Sequence, residues 1–265
     1  MNGFLMLQNC AVLFLSITVL SIIQFLTLPA IKGQDGVNAT EIILAADNVP
    51  PYVYLNERGE MIGTLVPKLS AIFQEAGIKH RFMYTPWNRA MSDTLNKTNV
   101  FMFPLSRTKV RENRFEWIVP LQETSYRLYG FKGDFDPQKI DITSGDYMFV
   151  CQETTVLCTI LRSFGIPEKS IVKKSSIEIS QIAKMLKRGR IDFLILTESG
   201  LETYTTIMGV NVSDMVVLDK YSYQVVEYLA GNKNIDKTLL LKLRSAALIL
   251  EKKQLEKTWP CLGSK

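Results

Sequence analysis

The stretch DYMFVCQETTVLCTILRSFGIPEKSIVKKSSIEISQIAKMLKRGRIDFLIL, residues 146–196, decides the fold class. Short apolar runs alternate in it with segments of helical period. Tyr147 to Cys151 reads as a strand, Thr154 to Phe164 as a helix, Ile171 to Lys174 as a strand, Ile177 to Lys187 as a helix and Ile191 to Leu196 as a strand. Strand and helix taking turns is the sequence form of an α/β protein, because each helix covers a face of the sheet that its flanking strands build.

The same alternation runs upstream. Ile42 to Ala46 predicts a strand, and Tyr52 to Ile62 a hairpin turning at Asn56 to Gly59. Leu65, Val66, Leu69, Ile72, Phe73 and Ala76 fall at helical spacing and stop at Gly77. Arg81 to Tyr84 reads as a strand, Pro86 to about Lys97 as a helix with proline in its first turn, and Val100 to Phe103 as a strand. Two α/β lobes are implied. The extended run Ser125 to Phe131 joins them, and a second one, Ser222 to Leu229, precedes a closing helix from Lys237 to Leu255. Two crossings give hinge strands, one lobe of residues 34–128 plus 222–265, and another of 129–221.

Composition excludes other classes. With 47% hydrophobic residues, 22% charged and only 15 Gly and 10 Pro in 265 residues, the chain is globular, neither collagen-like nor disordered. One histidine, His80, rules out multi-histidine metal sites and leaves a Ser/His/Asp triad only if His80 serves in it. The net charge of +5 is spread among acids with no basic arm, so no nucleic-acid partner is expected. Cysteines at 10, 151, 158 and 261 form no CxxC pair, which removes zinc-ribbon and thioredoxin-type chemistry. Neither a metal nor a cofactor is expected.

The first 31 residues carry no Asp, Glu, Lys or Arg, and Ala11 to Leu28 is largely apolar. Residues 1–33 read as a signal peptide, or as a retained membrane anchor, since about 20 apolar residues span a bilayer. Small residues Ala30 and Gly33 place the start of the exported, periplasmic part between Ile31 and Asp35. In an oxidising compartment Cys151 and Cys158 are either a disulfide or two small buried thiols.

Three further motifs carry a resemblance. Asp47-Asn48-Val49-Pro50-Pro51-Tyr52 is followed by Gly59 and Gly63; Pro86-Trp87-Asn88-Arg89-Ala90 precedes Pro104-Leu105-Ser106-Arg107-Thr108 with Arg111, Trp117 and Pro120; Gly189-Arg190-Ile191-Asp192 follows later. In order and spacing these resemble the bacterial extracellular solute-binding proteins of family 3, from Glu41 to about Trp259. The resemblance implies a two-lobed type II periplasmic-binding-protein fold with two hinge crossings. It also implies a monomeric, non-enzymatic receptor that closes over a small, amino-acid-like carboxylate and presents it to the permease of an ABC transporter or to a sensor protein in the membrane.

On that resemblance Arg111 grips the ligand carboxylate, since a guanidinium forks onto a carboxylate with two parallel hydrogen bonds, and Ser106 assists. Read without it, Arg111 makes a surface salt bridge to Glu112 or Glu116. Thr154 and Thr155 stand between strand and helix, where they present amides and hydroxyls to an anion or simply cap the helix. Trp87 and Tyr52 are aromatic walls of the cleft or core residues, and Arg89 is a cleft cation or an exposed one. Two departures bear on the ligand. Thr197 stands where the family's acid for the ligand ammonium is usual, with Glu198 next to it, and Gly63-Thr64-Leu65-Val66-Pro67-Lys68 lacks the acid common in the first helix. The competing reading on this fold is a dehydratase-like enzyme acting on a cyclic carboxylate, with Glu153 and Glu198 as its acidic candidates.

Overall fold

The computed structural model describes residues 41–132 and 136–258, with side chains up to residue 255. The uncharged N-terminal run, the export boundary at 31–35, Cys10 and Cys261 lie outside the described residues. Strands are β1 (Ile42–Ala46), β2 (Tyr54–Leu55), β3 (Met61–Ile62), β4 (His80–Tyr84), β5 (Val100–Ser106), β6 (Glu116–Phe131), β7 (Phe149–Gln152), β8 (Ile171–Lys174), β9 (Leu194–Thr197) and β10 (Met215–Gly231). Helices are α1 (Leu65–Glu75), α2 (Trp87–Asn96), α3 (Val156–Ser163), α4 (Ile179–Lys187), α5 (Leu201–Met208) and α6 (Lys237–Thr258).

One six-stranded sheet has the order β4-β1-β5-β10-β6-β9, and β7 pairs with β8 in a separate parallel ladder. β1 runs parallel to β4 and β5, as helical crossovers require, whereas β10 lies antiparallel between β5 and β6. The two extended runs read from the sequence are parts of much longer strands. β6 begins at Glu116 because Pro120, which would argue against a strand, sits beside a register shift between Glu227 and Tyr228 of β10, where an irregular ladder tolerates a missing N–H. A second shift in the same pair lies between Leu218 and Ser222, just before the second extended run read from the sequence.

Among the described residues the buried apolar side chains form four clusters, each of which includes residues of both β6 and β10. Ile42, Leu69, Phe73, Phe101, Phe103 and Leu243 belong to one, and Ala45, Trp87, Met91, Met102 and Trp117 to its neighbour. Leu128, Phe149, Ile160 and Phe193 pack in a third, and Val150, Leu186, Leu194 and Met208 in a fourth. A fully buried Phe or Leu contributes about 1.5–3 kcal/mol, so truncating Phe101, which is 0% exposed, to alanine costs about 3–5 kcal/mol. Leu243 and Ala246 put the closing helix into the first cluster.

Besides β6 and β10, the elements differ from the sequence reading elsewhere. β7 starts at Phe149 and not at Tyr147, β9 covers Leu194–Thr197 and not Ile191 onward, and α5 is additional. The threonines of α5 hid it, since Thr205 and Thr206 lower helix propensity; here their hydroxyls bond back to helix carbonyls, and Gly209 at φ 63° ends the helix. Cys151 and Cys158 are joined as a disulfide, linking the end of β7 to α3. Among the described residues no helix is long and apolar enough to cross a membrane.

Candidate functional site

After Ser106 closes β5 the chain makes two tight turns, Arg111 N–H to the Thr108 carbonyl and Arg114 N–H to the Arg111 carbonyl. These turns send the Arg111 side chain inward, where it is 6% exposed. Its Nη1 donates to the Ser106 carbonyl at 3.0 Å and its Nη2 to the Thr154 carbonyl at 2.7 Å. The guanidinium also lies 5.7 Å from the Trp87 ring centroid. Burial lowers its pKa to about 10, against an upward pull from Glu227, so it stays a cation at neutral pH.

Both acids that could have drawn Arg111 to the surface are engaged elsewhere. Glu112 takes a two-pronged contact from Arg107, at 2.9 and 2.5 Å, and Glu116 pairs with Arg244 at 2.8 Å. Among the described residues no carboxylate lies within ion-pair distance of Arg111. A buried guanidinium left to two carbonyls is ready for an anion.

Beside it sits a group the sequence reading missed. Glu227 of β10 is 2% exposed, and its Oε1 accepts from Ser106 Oγ at 2.8 Å and from Tyr126 Oη at 3.2 Å. Burial raises its pKa to about 7, opposed by the two hydroxyls and by Arg111. The signal was available in Val225-Val226-Glu227-Tyr228-Leu229-Ala230, a lone acid inside an apolar strand run.

Across from Arg111, Thr154 adopts φ 66°, a left-handed conformation rare for a β-branched residue. That backbone turn aims its carbonyl at Arg111, while its hydroxyl donates to Asn88 Oδ1 of α2 at 2.7 Å. Thr155 caps α3, accepting from the Leu157 N–H at 3.3 Å, so the capping reading of this residue holds.

Tyr52 is buried in the first core cluster, and its hydroxyl meets Ser199 Oγ at 2.5 Å. Trp87 belongs to the second cluster, its N–H donates to Asp47 Oδ2 at 2.9 Å, and its indole Nε1 is buried without a hydrogen-bond partner. The structure thus brings together Arg111, Ser106, Trp87 and Thr154, with Thr155 adjoining and Tyr52 to one side. It does not bring in the other two. Arg89 has a side chain 74% exposed beside Asp93, and Glu198 turns outward to Arg127 at 3.5 Å with 59% exposure. Thr197 is 4% exposed, with its hydroxyl packed so closely on Gly200 that a Cβ there would lie 2.5 Å away.

A cavity of about 1550 Å³ opens elsewhere, between α1, α6 and the strands β6 and β10, lined by Lys68, Leu121, Arg244 and Leu248 among others. It touches none of these site residues. Among the described residues no cluster of His, Cys, Asp and Glu could hold a metal ion.

Sequence and fold agree on the kinship. The family model for bacterial extracellular solute-binding proteins, family 3, matches residues 42–176, which include Arg111, Ser106 and the Thr154-Thr155 pair. The chain belongs to that family. No curated protein matches it in sequence. Solved structures similar to this solute-binding protein include holo ArgBP from T. maritima, at 18% identity and TM-score 0.66, covering 83% of this chain and 95% of that one. An ABC uptake transporter substrate binding protein from Streptococcus pneumoniae with bound histidine gives 17% identity, TM-score 0.68 and coverage of 83% and 92%. A histidine kinase sensor domain with similarity to periplasmic binding proteins gives 15% identity, TM-score 0.68 and coverage of 83% and 93%. At these identities the likeness is one of fold, and the fold is the type II periplasmic-binding-protein fold.

Proposed function

We propose that this family 3 protein is an exported, non-enzymatic receptor that captures a small carboxylate-bearing solute and presents it to a membrane partner, a transporter or a sensor. Residues 34–128 with 222–265 form one lobe and 129–221 the other, with β6 and β10 as hinge strands and residues 1–33 as the export signal or anchor. The observation that carries the reading is Arg111, a buried cation that reaches from the turn after β5 to the Thr154 carbonyl of the loop before α3. The Ser106 and Thr154 carbonyls hold the guanidinium; a ligand carboxylate would take the place of the Thr154 carbonyl with charge-assisted bonds and add the amides around Thr155.

Support for a membrane partner comes from the neighbours, one a transporter component and one a sensor domain by their descriptions. Closure follows from differential contact, because a solute touching Arg111 and Thr154 together favours the state in which both surround it. Thermal-shift screening of the exported part against amino acids and organic acids tests this, since a ligand of the folded state raises the melting temperature. A carboxylate that raises it, and lowers the radius of gyration in small-angle scattering, is the expected outcome; a panel without any stabilising carboxylate overturns the reading.

A further inference from the structure

We propose that Asn88 and Tyr52 set the closing equilibrium of this receptor: their side chains tie one lobe directly to the other, so that closure is favoured by contacts between protein groups before a solute adds its own. This inference rests on the receptor reading above.

The ties come from one feature of the architecture. β1, β4 and β5 run parallel, so the segments that follow them leave at the same end of the sheet, and each supplies one side chain: Tyr52 after β1, Asn88 in the first turn of α2 after β4, and Arg111 after β5. In the other lobe β7 runs parallel to β8 and, through a bridge from Phe149 to Phe193, to the chain entering β9. The segments after these three strands supply the partners, Thr154, Ser175 and Ser199. Carboxyl ends of parallel strands are where open α/β sheets place their crevices, and here two such ends meet.

Asn88 uses both ends of its amide. Its Oδ1 accepts from Thr154 Oγ1 at 2.7 Å and its Nδ2 donates to the Ser175 carbonyl at 3.2 Å, so one side chain holds the loops after β7 and β8 together. Gln152 Nε2 reaches the same Ser175 carbonyl at 3.4 Å from within that lobe. Tyr52 makes the second tie, its hydroxyl on Ser199 Oγ in the turn after β9.

A solute acts differently on these ties and on Arg111. A carboxylate on the guanidinium competes with the Thr154 carbonyl, whereas Asn88 holds Thr154 by its hydroxyl, and that bond is compatible with a bound carboxylate. Asn88 is therefore a positioning residue: it keeps the Thr154 segment against Arg111 while the solute is exchanged. Because a solute binds the closed arrangement, whatever raises the population of that arrangement raises apparent affinity by the same factor.

The test is small-angle scattering of the exported protein without added solute, as wild type, Asn88→Ala, Asn88→Asp, Tyr52→Phe and the Asn88→Ala/Tyr52→Phe pair, with circular dichroism as the folding control. Asn88 is exposed, so replacing it leaves the core untouched, and Tyr52→Phe keeps the ring in its cluster and removes only the hydroxyl. The closed-to-open ratio should fall by ~5-fold in Asn88→Ala, which loses two exposed hydrogen bonds, and by ~2- to 10-fold in Tyr52→Phe, which loses one. Asn88→Asp still accepts from Thr154 but sets an acceptor against the Ser175 carbonyl, so it should open the protein at least as far as Tyr52→Phe does. The radius of gyration should rise from wild type through the single variants to the pair, with unchanged circular dichroism. A wild-type radius equal to that of the pair overturns the inference. If amino acids or organic acids of the screening panel still compact the wild type in that case, the receptor reading stands and this inference alone fails; if neither the substitutions nor the panel changes the radius, both fail.

Discussion

Arg107 and Arg111 lie four residues apart just after β5 and meet opposite surroundings. Arg107 is at the surface, forked onto Glu112 and lying over the rings of Trp117 and Tyr228 at 5.5 and 5.2 Å, and its partners push its pKa up. Arg111 is interior, bonded to carbonyls, and burial pushes its pKa down. The outer arginine has its carboxylate already; the inner one lies beside a carboxylate it does not grasp. A charge held buried without its full counter-charge is destabilising, and sites that do this are commonly functional.

Breaking the inner arrangement should have the largest effect. Arg111→Ala should abolish binding of a carboxylate solute, by at least ~100-fold, because the carboxylate would be left unpaired in a buried site. Arg111→Lys should restore little, since an ammonium cannot form two parallel bonds to one carboxylate. Calorimetric titration with circular dichroism as the folding control reads both, and binding by Arg111→Ala within a few-fold of wild type would refute the carboxylate assignment.

Next comes the acid beside it. Burial raises the Glu227 pKa from 4.5 to about 7, so the protonated form is favoured in the folded state. Its stabilising contribution is complete below about 4.5 and is lost as pH rises through 7. Glu227→Gln removes that loss, which a rise from 4.5 to about 7 limits to roughly 3 kcal/mol. Urea unfolding should therefore find the variant more stable than wild type at about pH 8 and the two alike near pH 4. A variant less stable than wild type at the higher pH would show that the ionised carboxylate supports the fold.

Replacing Cys151 and Cys158 by alanine should cost about 2 kcal/mol, the chain-entropy value for so short a loop, seen as a lower unfolding midpoint. It should also weaken binding, because the bridge closes the segment carrying Thr154 and Thr155. Unchanged affinity would separate the bridge from the site. The outer pair gives the smallest effect: Arg107→Ala should leave affinity unchanged within error, since exposed ion pairs contribute little. A large loss there would erase the distinction between the two arginines.

Strand and helix alternation was legible because period-2 and period-3.6 patterns reflect which face each residue buries. β8 falls at the residues its apolar run marked, and α1 and α6 lie within a few residues of their expected ends. α5 was hidden by its threonines and the first part of β6 by Pro120, since propensity speaks against both and tertiary pairing overrides it. Of the residues clustered on Arg111, Arg111 and Ser106 were singled out by motif spacing and Thr154 by its place between strand and helix. Arg89 and Glu198 were expected there as well, but the helix face of Arg89 and the Arg127 partner of Glu198 keep them out of the cluster.

The sequence alone determined the α/β class and the family kinship, because local periodicity and motif order are properties of the chain itself. Only the tertiary structure decided which acid stands beside Arg111. Glu112 is next to it in the chain and Glu227 is 116 positions away, yet strand pairing of β10 with β5 delivers the distant one. Nothing in the local sequence encodes that juxtaposition, because a hydrogen-bonded ladder joins residues by register, whatever their separation along the chain.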